Sequence, residues 1–285
     1  MAVTLRPARP ADAERCGVIC YEAFKNIAEK HGFPPDFPSA DLAIGLMSML
    51  VVHPGVYSVV AESDGRVIGS NFLWEDPPLA GVGPITVDPA VQDGAVGRAL
   101  MEAVLERARQ QRFVGVRLVQ AAYHNRSLSL YTKLGFVARE PLSILQGSPL
   151  RKEFPGCVVR TARKSDLDAC NALCHRVHGH LRALELAHAT EQATATVVER
   201  AGRITGYATV IGFFGHAVAE TNTDLEALIA AAPSFPGLGF LLPTRNTEVL
   251  RWCLEQGLHV VQPMTLMSIG LYTEPTGAFL PSILY

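Results

Sequence analysis

The chain has 285 residues, of which 48% are hydrophobic and 18% charged, and its formal net charge is −2 at pH 7. A chain of this length can bury a full core and fits two domains of ordinary size. The near-neutral charge gives no electrostatic basis for nucleic-acid binding, and no apolar run reaches the roughly 18 residues of a membrane span. The first residues lack the apolar core of a signal peptide, which predicts a cytoplasmic protein.

A strand, a loop of small residues and a helix follow one another in the middle of the first half. The apolar, β-branched run 84–87 stops before a proline, and residues 99–105 have the periodicity of an amphipathic helix. Between them, glycine and alanine let the backbone approach a ligand closely, and the first amides of the helix have no partner within it. Such a turn favours an anion, and Arg98 adds a positive charge.

A second strand and helix follow some 30 residues later. Residues 115–119 read as a strand. Residues 124–136 read as a helix that ends at Gly135, and its apolar positions include Tyr131. The order strand, loop, helix, strand, helix predicts an α/β protein.

These two segments together resemble motifs A and B of the GNAT superfamily of N-acetyltransferases, which use acetyl-coenzyme A. The family's loop, Q/R-x-x-G-x-G/A, corresponds to residues 92–97, with Ala95 at the first glycine position. An alanine methyl is tolerated there if its φ is negative. The second motif, N-x-x-A/S-x-x-L-Y-x-K-x-G-F, is matched at six positions, but His124 occupies the asparagine slot and Asn125 comes one place later.

The resemblance implies an α+β fold in which a twisted, mostly antiparallel sheet is flanked by helices and carries a splayed parallel strand pair. It implies that backbone groups of residues 85–87 hold the pantetheine arm and that the loop holds the pyrophosphate. Tyr131 is the expected general acid, because a phenol can protonate a departing thiolate; the alternative is a core aromatic residue. The predicted cofactor-binding residues are Ile85, Thr86, Val87, Gln92, Asp93, Gly94, Ala95, Val96, Gly97, Arg98, Asn125, Ser127 and Tyr131.

No sequence motif identifies the general base. The open alternatives are a water chain, one of four side chains or, by the resemblance, the C-terminal carboxylate. For each of the four side chains a solvent-facing role is the simpler interpretation. The proline- and aromatic-rich segment 31–38 is either a connector or, by the resemblance, part of the acceptor pocket. The candidate groups are the side chains of Glu75, Asp76, His53 and His31 and the carboxylate of Tyr285.

The chain also repeats itself. Residues 5–16 match 159–170 at an offset of 154, residues 62–69 match 199–206 at 137, and Gly135 matches Gly257 at 122. Matches in a fixed order indicate an internal duplication. We therefore predict two tandem domains of one fold, 1–150 and 157–285.

The second copy has lost the features of the anion site. At the equivalent of the loop, residues 220–226 contain no glycine, Glu226 replaces Arg98, and Asp224 adds negative charge. A like charge about 6 Å from a phosphate costs roughly 2–3 kcal/mol at an effective dielectric constant near 20. We therefore expect cofactor binding in the first domain alone.

A metal site is the weaker interpretation of the cysteine and histidine pattern. Cys170, Cys174 and His178 recur every four residues on a predicted helix, but Cys16 and Cys20 repeat the spacing without histidine. Buried, reduced thiols explain this better than a zinc site, so no metal is predicted.

The sequence thus predicts an acetyl-coenzyme A-dependent N-acetyltransferase that acts on a primary amine, carried by a small molecule or a peptide. A protein that binds coenzyme A without turnover is the alternative. Neither nucleic acid nor membrane is expected as a partner.

Overall fold

The computed structural model describes residues 3–91 and 95–284. Within these ranges, every helix falls short of the length and hydropathy that crossing a bilayer requires. The elements of the first half are β1 (Thr4–Pro7), α1 (Ala13–Lys30), α2 (Ala40–Val52), β2 (Val56–Ser63), β3 (Arg66–Asp76), β4 (Leu79–Val82), β5 (Thr86–Val87), α3 (Val96–Gln110), β6 (Gly115–Ala121), α4 (Asn125–Lys133) and β7 (Val137–Gln146).

The second half repeats most of this order, with shorter first and second helices, one strand fewer before its third helix and an additional strand at its end. Its first helix has 12 residues, where that of the first half has 18, and its second has 9, where the other has 13. The elements are β8 (Cys157–Thr161), α5 (Leu167–His178), α6 (Ala183–Glu191), β9 (Thr196–Arg200), β10 (Arg203–Ala208), β11 (Ala217–Ala219), α7 (Asn222–Ala231), β12 (Phe240–Pro243), α8 (Thr247–Glu255), β13 (His259–Gly270) and β14 (Ala278–Leu280).

The predicted duplication is visible in local structure. Arg6 forms ion pairs with Asp12 at 2.7 Å and with Glu62 at 2.8 Å. Arg160 pairs in the same way with two acids of the second half, Asp166 at 2.7 Å and Glu199 at 2.5 Å. The same ion-pair cluster thus ties the first strand of each half to its first helix and its hairpin.

Two strands are exchanged between the halves. Strand β7 of the first half lies between β12 and β13 of the second, and β13 lies between β6 and β7. The pairing of β13 with β6 runs antiparallel from Met264–Ala121 to Gly270–Gly115. The sheet of the first half therefore includes β12 and β13 of the second half, while β8, β9, β10, β11 and β14 form a separate five-stranded sheet.

The sheet of the first half is covered on both faces. Helices α3 and α4 cover one face, where Leu100 and Met101 are fully buried. Helices α1 and α2 cover the other, where Met47 and Leu50 are fully buried. The alternation of side chains along each strand supplies both layers.

The predicted splayed strand pair lies between these two layers. Strand β4 runs parallel to β6, but only over the pairs from Leu79–Gly115 to Gly81–Arg117. Strand β5 follows β4 and pairs with β3. Within the described residues, β5 has no second strand neighbour. The gap between β5 and β6 opens next to the start of α3.

Candidate active site

The start of helix α3 is open to an anion. The residue before it, Ala95, offers no side-chain hydrogen bond to the first turn. The amides of Val96, Gly97 and Arg98 begin the helix and therefore lack acceptors within it. Arg98 is half-exposed and pairs with Glu102 at 3.3 Å. Three further residues of the predicted loop, Gln92, Asp93 and Gly94, lie outside the described residues.

Ala95 has a strained backbone conformation. Its φ is +62°, in the left-handed region that favours glycine. The condition under which the alanine methyl would be tolerated, a negative φ, is therefore not met. The position still requires the conformation that a glycine would adopt, and the alanine Cβ imposes an energetic cost of about 1–2 kcal/mol.

We expect Ala95→Gly to stabilise the protein. Relief of strain is worth about 1–2 kcal/mol, and the added entropy of the unfolded chain offsets about 0.5–1 kcal/mol of it. The net gain should raise the midpoint of thermal unfolding by about 1–3 °C. The control is Ala90→Gly, at a position without positive φ, which should lower the midpoint. If both variants shifted the unfolding midpoint equally, Ala95 would not be strained.

The β5 segment presents the predicted pantetheine-binding backbone at the edge of the splay. Thr86 is buried, while Ile85 and Val87 are half-buried. Opposite Val87, Gly69 of β3 has no room for a side chain, because a Cβ there would lie 2.8 Å from the carbonyl oxygen of Thr86. Close packing of β3 thus holds β5 in place.

Tyr131 lies inside the core beside this gap. It is 6% exposed, and its ring packs edge-on against Phe136 with 6.0 Å between centroids. Burial raises the pKa of Tyr131 to about 12, and a hydrogen bond with the Ser127 side chain limits the rise. The hydroxyl therefore stays protonated at neutral pH, as a proton donor requires.

His124 occupies the place that the family motif gives to asparagine. Its Nδ1 lies 2.5 Å from the Ser127 hydroxyl, so Ser127 connects His124 with Tyr131. Burial, together with the charge of Arg126, lowers the pKa of His124 to about 4, which keeps the imidazole neutral. Asn125 is exposed at the first position of α4, so His124 rather than Asn125 reaches the other motif residues.

The segment between α1 and α2 packs against the loop that precedes α4. Phe33 stacks on Tyr123 with 4.3 Å between ring centroids, and His31 lies 5.3 Å from the same ring. The Tyr123 hydroxyl donates a hydrogen bond to Gln262 at 3.2 Å. Gln262 belongs to β13, so the exchanged strand carries a side chain of the second half into this region.

Four of the candidate bases have other contacts or lie outside the described residues. Glu75 is held by Arg107 through two hydrogen bonds of 2.6 and 3.1 Å. His53 Nδ1 accepts the Gly55 amide at 3.1 Å. His31 is exposed and bonds to its own helix. Tyr285 is not among the described residues.

The sequence reasoning missed Asp36. Burial raises the pKa of this carboxyl group to about 6, and a hydrogen bond from Gln262 opposes the rise. The sequence offered one indication of it: Asp36 is an acidic residue inside the proline- and aromatic-rich segment 31–38, which the second copy lacks. No motif distinguishes it, because Gln262 is more than 200 residues away in the chain.

The equivalent of the anion site in the second half is closed. Helix α7 begins after Thr221, whose side chain accepts the Asp224 amide at 3.2 Å. Asp224 is 1% exposed and pairs with Arg200 at 3.1 Å. Glu226 is also buried, one turn further along the same helix. A capped, acidic helix start repels a phosphate.

The gap next to β11 is also filled. Strand β11 corresponds to β5, since the pair Gly206–Ala219 repeats the pair Gly69–Val87. The outer edge of β11 pairs with β14 from Ala217–Leu280 to Ala219–Ala278. The chain's own last strand thus lies where the first half has its open edge.

The sequence relatives agree with the geometry of the first half. Residues 21–136 match the model of the acetyltransferase (GNAT) family. This segment is therefore similar to acetyltransferases of the GNAT family. A mycothiol acetyltransferase of Nocardia farcinica is 38% identical over 77 residues, which are 25% of this chain and 25% of that protein. The chain thus spans about a quarter of the length of this curated relative.

Solved structures extend the GNAT fold to the whole chain. An acetyltransferase from Pyrococcus horikoshii superimposes with a TM-score of 0.73 at 17% identity, covering 99% of this chain and 92% of that one. A tandem GNAT protein from the clavulanic acid biosynthesis pathway gives 0.55 at 15% identity, covering 94% and 98%. The predicted mixed α/β architecture is confirmed.

Proposed function

We propose that the protein is an acetyl-coenzyme A-dependent N-acetyltransferase that uses the cofactor site of its first half alone. The proposal rests on the contrast between the equivalent helix starts of the two halves. The start of α3 is uncapped beside an open strand edge, whereas the start of α7 is capped and acidic beside an edge that β14 covers.

Each part of this site has a distinct task. The bound thioester supplies an activated acetyl group. The amides at the start of α3, together with Arg98, hold the pyrophosphate, and the β5 backbone orients the pantetheine arm. Fixed backbone donors suit this task because they need no reorientation as charge develops.

Proton transfer belongs to Tyr131. The hydroxyl proton moves to the departing sulfur as the carbon–sulfur bond breaks and the carbonyl carbon bonds to the amine nitrogen. The proton that this nitrogen then loses restores the phenol. Ser127, whose hydroxyl lies 2.5 Å from His124 Nδ1, interacts with the phenol and lowers its pKa. The acceptor amine must reach the carbonyl as a neutral group, since its lone pair makes the new bond.

Charge reversal at the start of α3 tests which half binds the cofactor. We expect Arg98→Glu to weaken coenzyme A binding about tenfold or more, because it places on α3 the charge that α7 carries at Glu226. The measurement is isothermal titration calorimetry with coenzyme A.

The matched control is Arg109→Glu, an exposed position in the last turn of the same helix. It changes the net charge equally and should leave the affinity within about twofold. Loss of affinity in both variants, or in neither, would contradict binding at this helix start. Binding without release of the thiol in the presence of amines would favour the non-catalytic alternative.

A further inference from the structure

We propose that a cavity between the two halves binds bicarbonate, a small oxyanion that carries both a negative charge and a hydroxyl group. The cavity lies where β6 of the first half meets the connection between α5 and α6 of the second half. None of the described cofactor-binding residues lines it, so the inference is independent of the proposed function. Its polar and aromatic lining consists of Arg117, His178, His180, Arg182, Tyr272 and Phe279.

His180 supplies a hydrogen-bond acceptor to this cavity. The residue is 4% exposed, and its Nδ1 lies 3.0 Å from the carbonyl oxygen of His178. A carbonyl oxygen only accepts, so Nδ1 donates and carries the proton of the neutral ring. The other nitrogen, Nε2, is buried without a hydrogen-bond partner in the described part of the chain. Buried polar atoms are normally paired, so this nitrogen favours a ligand that donates a hydrogen bond.

The imidazole of His180 stays neutral at pH 7. Burial lowers its pKa to about 3. The charges of Arg117 and Arg182 act in the same direction, and the hydrogen bond with His178 opposes them. Nε2 therefore keeps its lone pair, which repels an anion that has no proton to donate.

Two guanidinium groups supply positive charge to the same cavity. Arg117 and Arg182 are both buried. Arg182 pairs with Glu185 at 2.6 Å, and the guanidinium of Arg117 lies 5.4 Å from the centroid of the Tyr272 ring. A guanidinium has five N–H donors, so one partner does not exhaust it. Among the described residues that line the cavity, none is acidic, and an anion offsets the desolvation of these cations.

The shape of the cavity favours a flat anion. About 330 Å³ of free space lies between the lining atoms and the mouth, but only about one water-sized sphere fits fully inside. A planar anion can enter edge-on, whereas a tetrahedral one is wider in every direction. The hydroxyl of bicarbonate can donate to His180 Nε2 while another of its oxygens accepts from Arg117.

The test compares bicarbonate with nitrate, which has the same planar shape and charge but no proton. We expect the NMR resonance of isotope-labelled bicarbonate to broaden on titration with the unaltered full chain at pH 7.5. Nitrate should displace it at least about tenfold more weakly than unlabelled bicarbonate does, because nitrate leaves the His180 acceptor unsatisfied. An unchanged bicarbonate resonance, or equal displacement by the two anions, would overturn the inference.

Two histidine variants test whether the hydroxyl binds at His180. His180→Phe keeps a ring but removes Nε2, so it should lose about tenfold or more in bicarbonate affinity and bind both anions about equally. His175→Phe is the control, because His175 is exposed on α5, and it should keep the preference for bicarbonate. Circular dichroism verifies that both variants fold. A folded His180→Phe variant that still prefers bicarbonate would contradict the assignment.

Two arginine variants test the source of the charge. The guanidinium groups of Arg117 and Arg139 both lie against Tyr272, at 5.4 and 4.9 Å from its centroid, but Arg139 is exposed and is not part of the cavity lining. Arg117→Gln should weaken the binding of both anions about tenfold or more, whereas Arg139→Gln should leave it within about twofold. Equal effects of the two changes would show that Arg117 does not hold the anion.

Discussion

Tyr131→Phe should lower turnover at least about tenfold while coenzyme A affinity stays within about twofold. The ring keeps its place beside Phe136, since only the hydroxyl is removed. The departing sulfur then has no proton donor at this position and must take its proton from water. The measurements are thiol release with a panel of primary amines and calorimetry with coenzyme A.

A second buried tyrosine provides the control. Tyr207 lies in the second half, and its hydroxyl is 2.9 Å from His216 Nε2. Tyr207→Phe removes one buried hydrogen bond and should lower stability by about 1 kcal/mol. It should not change turnover per folded molecule. Equal turnover of Tyr131→Phe and the unaltered protein would remove the acid role from Tyr131.

Arg245→Ala should destabilise the whole chain by about 3 kcal/mol at pH 7. Arg245 follows β12 and holds the carboxylate of Glu140 on β7 with hydrogen bonds of 2.8 and 3.0 Å. The Glu140 side chain is fully buried, so removal of the arginine leaves a charge without its counterion. The destabilisation cannot exceed about 4 kcal/mol, because Glu140 can be protonated at that cost at pH 7.

The sign of the pH dependence follows from Glu140. Burial raises the pKa of this carboxyl group in the folded state, and loss of Arg245 raises it further. The folded variant therefore binds a proton more readily than the unfolded chain, so its deficit should shrink as the pH falls toward 4. Denaturant unfolding at several pH values measures this.

A double-mutant cycle isolates the charge. In a Glu140→Gln background, Arg245→Ala should cost less than about 1 kcal/mol, because no buried carboxylate remains. Since β7 and β12 come from different halves, both halves should unfold in one transition. A deficit that persists in the Glu140→Gln background, or two separate transitions, would contradict the coupling.

Local patterns in the sequence were sufficient for most elements. Apolar periodicity and turn residues identify the strand before the loop, the helix after it, and the hairpin turns at Gly65 and Gly202, both of which have positive φ. The duplication was also readable, because equivalent residues such as Arg6 and Arg160 serve the same ion-pair cluster.

Local sequence patterns do not predict the order of the strands in the sheet. Backbone hydrogen bonds between strands carry no residue-specific signal, so the sequence cannot say that β7 inserts between β12 and β13. The same reason hides the pairing of β14 with β11. Both features depend on contacts between segments that are far apart in the chain.

The sequence by itself indicated the resemblance to GNAT acetyltransferases and the repeated fold, because both depend on residues close together in the chain. The tertiary structure decided the left-handed conformation of Ala95, the contact of His124 with Ser127, and the hydrogen bond between Tyr123 and Gln262. A backbone angle depends on how the chain enters and leaves a loop, and a side-chain hydrogen bond depends on which elements lie side by side. Packing sets both, and packing joins parts of the chain that no local pattern connects.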